Sequence, residues 1–201
     1  MEAHYQKSGL LIVISGPSGV GKGTVCACLR KKMPQLVYSV SVTTRKPRKG
    51  EQDGVNYFFK SKQEFEQMIH AGELIEWAEY VGNYYGTPRK FVEEKLKQGR
   101  DVILEIDVQG ALQVKKKYPN AVFIFLLPPT MEDLRKRIEN RGTENPEVLN
   151  QRLQEATKEY QFLNRYDYVV INDEVEQACE RIQSIIMAEH FRADRIVFIN
   201  Q

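Results

Sequence analysis

With 201 residues, 42% of them hydrophobic, the chain is long enough to bury a full core, either as one generous domain or as one core carrying insertions. Its 29 basic and 27 acidic residues leave a formal net charge of +2, too small to address a nucleic-acid polymer or a membrane surface, so any basic patch has to be local and meant for a small anion. No apolar run approaches the ~20 residues that cross a bilayer and Met1–Lys7 lacks the apolar centre of a signal peptide, so the expectation is a cytoplasmic protein with reduced cysteines.

The first strand signal is the apolar run 10–15, followed at once by Gly16, Pro17, Ser18, Gly19, Val20, Gly21, Lys22, Gly23 and Thr24 and then by a helical pattern over about 24–33. Glycines at this spacing open backbone turns closed to other residues and bring amide N–H groups against an anion, while Lys22 adds a positive charge. A phosphate-binding loop with a nucleoside triphosphate ligand is expected; the alternative is a glycine-rich turn that binds nothing. Position 23 is Gly where a Ser or Thr hydroxyl usually reaches Mg²⁺, and Thr24 follows it. The metal is therefore expected to be held largely through water and substrate oxygens. Cys26 and Cys28, two apart on the helix, fall on different faces and Cys179 is remote in sequence, so neither a zinc knuckle nor a disulfide framework is indicated.

Residues 39–90 break the strand and helix rhythm and read as an inserted, β-rich lobe. In Ser41-Val-Thr-Thr-Arg45-Lys-Pro47-Arg48 the proline stiffens the link, so two guanidinium forks can converge on one phosphate; the alternative is a solvated basic loop. An aromatic strand at 57–59 and a helix over 61–70 follow. Tyr57 and Tyr85 each lie in a turn-rich stretch where a phenol can reach a phosphate, whereas Tyr84 reads as packing. Glu76 stands in the apolar stretch Leu74-Ile75-Glu76-Trp77, where an unpaired charge is costly. Guanine presents N1–H and N2–H₂ side by side, a match for one carboxylate, while adenine has no such pair. The hydroxyls of Ser41 and Thr87 can complete the recognition.

Beyond the lobe the alternation resumes, with strands at 102–106, 121–127 and 168–171 and helices over about 108–117, 130–140, 146–164 and 174–191, the pattern of a parallel sheet covered by helices. Glu105 and Asp107 point to one side at the carboxyl end of a strand, where a ligand crevice opens; Asp107 can order water around Mg²⁺ or touch an acceptor nucleotide, or simply be a solvated strand end. Residues 137–150 have the polar composition of a mobile lid, and Arg137, Arg141 and Arg152 can close on phosphates, with helix-surface ion pairs as the alternative. The tail 196–201 suits a short strand or an interface element. His4, His70 and His190 are scattered, with no hydrolytic triad around them.

The loop, Arg45-Lys-Pro-Arg48, Ile75-Glu76-Trp77, Gly82-Asn-Tyr-Tyr85-Gly-Thr87 and Ile106-Asp107-Val-Gln-Gly110, taken in this order, resemble the guanylate kinase family over about residues 10–190. The resemblance implies an α/β, three-layer P-loop NTPase fold: a parallel-sheet core (1–38, 91–136, 165–201), an inserted β-rich monophosphate lobe (39–90), and a helical lid with its following helix (137–164). It implies transfer of the γ-phosphoryl group from ATP to GMP, and to dGMP, with Mg²⁺ accompanying ATP, no polymer or membrane partner, and room for a homo-oligomer. Residue by residue it implies that the loop from Gly16 to Thr24 holds ATP phosphates with Asn172 near adenine. Arg45, Arg48, Tyr57 and Tyr85 then bind the GMP phosphate, Ser41, Glu76 and Thr87 read guanine, and Asp107 lies near GMP and the metal. Lys22, Arg45, Arg137, Arg141 and Arg152 stabilise the transfer, while Mg²⁺ is reached from the protein by Thr24 or Asp107 if at all. Glu105 stands where the family can carry Asp. The rival readings are a non-catalytic interaction module of the same fold and a kinase for AMP or dTMP.

Overall fold

The apolar run that begins the chain's core is the middle of its sheet. In the computed structural model, which describes residues 5–7, 9–80, 82–140 and 146–198, a short β1 (Tyr5–Lys7) precedes β2 (Leu11–Ser15), all of whose side chains are buried. The phosphate loop leads into α1 (Lys22–Lys32), then β3 (Val37–Tyr38). The inserted segment holds β4 (Val42–Thr43), β5 (Phe58–Phe59), α2 (Lys62–His70), β6 (Leu74–Tyr80) and β7 (Asn83–Pro88). The core resumes with α3 (Arg89–Lys97), β8 (Val102–Glu105), α4 (Val108–Lys117), β9 (Val122–Leu127) and α5 (Met131–Glu139). It ends with α6 (Pro146–Glu159), β10 (Tyr168–Ile171), α7 (Val175–His190) and β11 (Ile196–Phe198).

Five strands pair in parallel in the order β10-β9-β2-β8-β3, with β2 hydrogen-bonded to both β8 and β9. Successive side chains of β2 point to opposite faces. Ile12 and Ile14 pack with Val25 and Leu29 of α1, Leu134 of α5 and Ile182 of α7. Leu11 and Val13 pack on the other face with Val92 of α3 and Val114 of α4. Helices on both sides make three layers, and each fully buried Leu or Ile stabilises them by about 1.5–3 kcal/mol.

The lobe is a second sheet, in the order β5-β4-β7-β6, closed by a small cluster of Val42, Phe65 and Leu74 against Tyr84. Ser61 and Glu64 form a capping box that starts α2. Tyr84 stacks on Phe65 at 5.3 Å, the packing role its sequence context suggests.

Four elements differ from the sequence expectation. Asn83–Pro88 is a strand rather than a turn-rich stretch, because it is paired on both edges, with β4 and with β6. Helix α3 escapes a periodicity reading since only Val92 and Leu96 of its nine residues pack into the core. The two-residue edge strand β3 is too short to carry any pattern. The expected helix 146–164 ends at Glu159 and continues as a 3₁₀ segment, Tyr160–Arg165.

The tail pairs antiparallel with β1 through β11. Buried Glu189 fastens the approach to it, meeting Arg195 at 2.7 Å and accepting a hydrogen bond from the Tyr168 hydroxyl. All three cysteines are buried free thiols, and the packing of α1 on α7 brings Cys28 beside Cys179 despite their separation in sequence. Among the described residues no helix is long and apolar enough to cross a membrane.

Candidate active site

A cleft of about 800 Å³ opens at the carboxyl ends of β2 and β8, where a ligand of an open parallel sheet is expected, and the lobe and α6 form its other walls. The structure brings together there Gly16, Ser18, Lys22, Ser41, Arg45, Arg48, Tyr57, Glu76, Tyr85, Asp107 and Arg152 of the residues singled out in the sequence.

On the core side, Gly16, Gly19 and Gly21 hold φ values of 143°, 88° and 99°, which only glycine adopts without strain. The loop they form ends at the N-terminus of α1, where free backbone N–H groups favour an anion. Lys22 Nζ lies over the same loop, donating to the Gly16 carbonyl at 2.5 Å and the Pro17 carbonyl at 3.1 Å. Burial pulls the Lys22 ammonium below its ordinary pKa, against the attraction of Glu105, Glu159 and Asp107.

Asn172 and Arg137 stand behind this loop rather than in the cleft. The Asn172 amide donates to the Val20 carbonyl at 2.8 Å, Arg137 donates to the same carbonyl at 3.1 Å, and Arg137 also holds the Asn172 carbonyl at 2.8 Å. With Asn172 only 2% exposed, both side chains brace the loop from behind. Arg141 lies outside the described residues.

Gly23 lies close to Glu105. A Cβ there would stand 3.3 Å from Glu105 Oε1, a tight contact that a larger residue would relieve by shifting that carboxylate. Tyr38 fixes that carboxylate by donating to its other oxygen at 2.5 Å. Thr24 is exposed on α1. Among the described residues no three acidic, His or Cys side chains are arranged to hold an ion by themselves. A Mg²⁺ arriving with substrate phosphates fits this site, since Glu105 and Asp107 offer hard oxygens to its water shell.

Across the cleft, Arg45 donates to both oxygens of Glu51 at 2.8 and 3.0 Å, lies beside Tyr85, and stands 5.4 Å over the Tyr57 ring. Tyr57 and Tyr85 meet edge to face at 6.1 Å. Glu51 also accepts from the Arg48 amide at 2.7 Å, so one carboxylate holds both arginines of the turn in place. The sequence reading missed Glu51; its position three residues after Arg48 in a polar turn was the available signal.

Deeper in the lobe, the pairing of β6 with β7 slips between Leu74 and Trp77, and three consecutive residues, Leu74, Ile75 and Glu76, are buried in place of the usual alternation. Ile75 enters the core and the Glu76 carboxyl faces the cleft, where Thr87 donates to its Oε1 at 2.6 Å. Gly110 makes room for it, since a Cβ there would approach Oε2 to 2.4 Å. Burial pushes the Glu76 carboxyl up to about 7, with the Thr87 bond opposing. Tyr80, farther along β6, reaches Ser18 of the phosphate loop at 3.5 Å and links the two halves.

The third wall is one face of α6, from which Gln151, Arg152, Glu155, Lys158 and Glu159 line the cleft. Glu159 was not singled out in the sequence, although charges at 152, 155 and 159 repeat at helical spacing. Its Oε2 is buried with no hydrogen-bond partner among the described residues, and burial pushes the carboxyl up to about 7 against the pull of Lys22.

A carboxyl that titrates higher in the folded than in the unfolded chain binds more protons when folded, so its contribution to stability falls as pH rises between the two values. For Glu76 that window runs from about 4.5 to about 7. Calorimetry of the wild type and Glu76→Gln at pH 5 and pH 8 is expected to show the wild type losing more of its thermal midpoint over this interval. Equal losses contradict a raised Glu76.

The family model described as guanylate kinase matches residues 8–189. A guanylate kinase of Halalkalibacterium halodurans is 59% identical over 192 residues, which cover 96% of this chain and 94% of that protein. One from Desulfitobacterium hafniense is 54% identical, with 98% of each chain covered. The crystal structure of guanylate kinase from Anaplasma phagocytophilum superposes with a TM-score of 0.81 at 37% identity, over 96% of this chain and 92% of that one.

Proposed function

Because the chain belongs to the guanylate kinase family and transfers the γ-phosphoryl group of ATP to GMP, we propose that its cleft divides into a donor half at Lys22 and an acceptor half at Arg45, Arg48 and Glu76. The observation that carries this division is the convergence of two separate cationic anion sites and one buried, hydroxyl-tethered carboxyl on a single cavity.

In the donor half the loop amides and Lys22 hold the ATP phosphates. In the acceptor half Arg45, Arg48, Tyr57 and Tyr85 hold the GMP phosphate, with Glu51 holding the Arg45 guanidinium until the phosphate competes for it and fixing the turn through the Arg48 amide. Ionised Glu76 accepts N1–H and N2–H₂ of guanine while Thr87 and Ser41 supply hydroxyls beside it. dGMP presents the same base and phosphate and is a second acceptor.

A GMP phosphate oxygen attacks the γ-phosphorus in line. The new O–P bond forms as the bond to the β-phosphate oxygen breaks, and ADP leaves with that electron pair. No covalent enzyme intermediate is needed. Lys22 and Arg152 both line the cleft, from α1 and α6, and neutralise the charge that spreads over the transferring group, and α6 excludes water as it closes. Mg²⁺ bound with ATP would supply further charge neutralisation, and Glu105 and Asp107 are the groups that would hold its water shell. Three buried free thiols support a cytoplasmic setting.

Replacing Arg45 or Arg48 with Ala is expected to raise the KM for GMP by about ten- to a hundredfold, the loss of one charge-assisted phosphate contact, with KM for ATP little changed. Initial-rate kinetics with both substrates varied checks this. An unaltered GMP KM would return the two arginines to a solvated loop.

A further inference from the structure

β6 is an edge strand of the lobe sheet, so one side of its backbone has no strand partner. Helix α4 of the core lies along that side. The Trp77 N–H donates to Gln113 Oε1 at 3.2 Å and Gln113 Nε2 donates to the Trp77 carbonyl at 2.6 Å, so one side-chain amide makes both bonds that a neighbouring strand residue would make. Two residues earlier, Lys117 Nζ donates to the Ile75 carbonyl at 2.5 Å. Between these clamps the Glu76 carboxyl lies against Gly110. Gly110, Gln113 and Lys117 fall on successive turns of one helix face.

The clamps stand where the sheet itself gives way. Pairing with β7 is out of register between Leu74 and Trp77, so the ladder does not fix the rotation of Ile75 and Glu76. Helix α4 is itself anchored at the cleft by Asp107, which caps it by accepting from the Gly110 amide at 2.7 Å.

We propose that Gln113 and Lys117 are positioning residues for base recognition, holding the Ile75–Trp77 backbone on α4 so that the Glu76 carboxylate meets both guanine donors at once. This rests on the reading of Glu76 as the base contact. Neither side chain touches the nucleotide. Their effect is on geometry, and a carboxylate displaced by a fraction of an ångström keeps one hydrogen bond to the base and loses the second.

The test compares Gln113→Met and Lys117→Met with Glu76→Gln, using GMP and IMP, which lacks the 2-amino group, as acceptors. Methionine keeps the volume of either stem and removes the clamp. Each is expected to raise the KM for GMP about tenfold and to narrow the preference for GMP over IMP, with kcat at saturating GMP and KM for ATP within about twofold. A thermal midpoint recorded on each variant separates lost positioning from lost fold. Glu76→Gln narrowing the preference while both clamp variants keep it would overturn the proposal and leave the base contact standing. If Glu76→Gln keeps the preference as well, the reading of Glu76 falls with it.

Discussion

Replacing Lys22 with Met lowers kcat by about 10³-fold or more while the protein keeps its fold and its affinity for GMP. The lysine is partly buried, with its ammonium held over the loop carbonyls of Gly16 and Pro17, so methionine fills the same space without the charge. Burial already works against that charge, so removing it does not destabilise the fold, and the thermal midpoint is expected to stay level or rise. What disappears is a fixed cation beside the transferring phosphoryl group, in a water-poor cleft where electrostatic stabilisation is strongest. GMP-dependent ADP release, measured with GMP binding by calorimetry, separates the two effects. A loss of turnover below tenfold contradicts a direct role for Lys22 in transfer.

The next largest effect is expected at Glu76. Glu76→Gln keeps the size of the side chain and its acceptor for Thr87, but it turns a second acceptor into an NH₂ group that faces the guanine donors. Two donors pointed at each other in a buried site lose the hydrogen bond and leave the desolvation cost of both groups uncompensated. kcat/KM for GMP should fall by about 10²- to 10³-fold with ATP affinity preserved, and the advantage of GMP over AMP should shrink by a similar factor. Removing a buried carboxyl whose pKa is pushed up to about 7 relieves the folded state above that pH, so the variant is at least as stable as the wild type there. Selectivity for GMP over AMP that survives the substitution contradicts the base contact.

How much of this was readable before the structure depended on how local the cause was. The phosphate loop was legible because its strand, glycines, lysine and helix are contiguous in the chain. Arg45 and Arg48 were legible for the same reason, and Glu76 because a charge inside an apolar stretch needs a partner. Thr87, eleven residues on, was named beside it as a second base contact, but its direct bond to Glu76 became visible only when β6 and β7 paired. Glu51, Glu159 and Gln113 carry no motif, and their roles come from what tertiary packing sets beside them: two arginines, the loop lysine and an unpaired strand edge. Asn172 and Arg137 were placed near the loop from the sequence, but their shared bond to the Val20 carbonyl comes from tertiary packing, which a linear pattern does not specify. Asn83–Pro88 looked like turn chemistry because Gly and Asn flank the tyrosines, and pairing on both edges outweighed that local preference.

One cleft with a triphosphate half and a guanylate half is tested most directly by ADP formation at saturating ATP and Mg²⁺ with GMP, AMP and dTMP offered in turn to the wild-type protein. Turnover confined to GMP, exceeding the other two by at least ~10³-fold in kcat/KM, is the expected result. Comparable turnover of AMP or dTMP would contradict guanine recognition at Glu76, and ADP formation that does not depend on any monophosphate would contradict the acceptor half at Arg45 and Arg48.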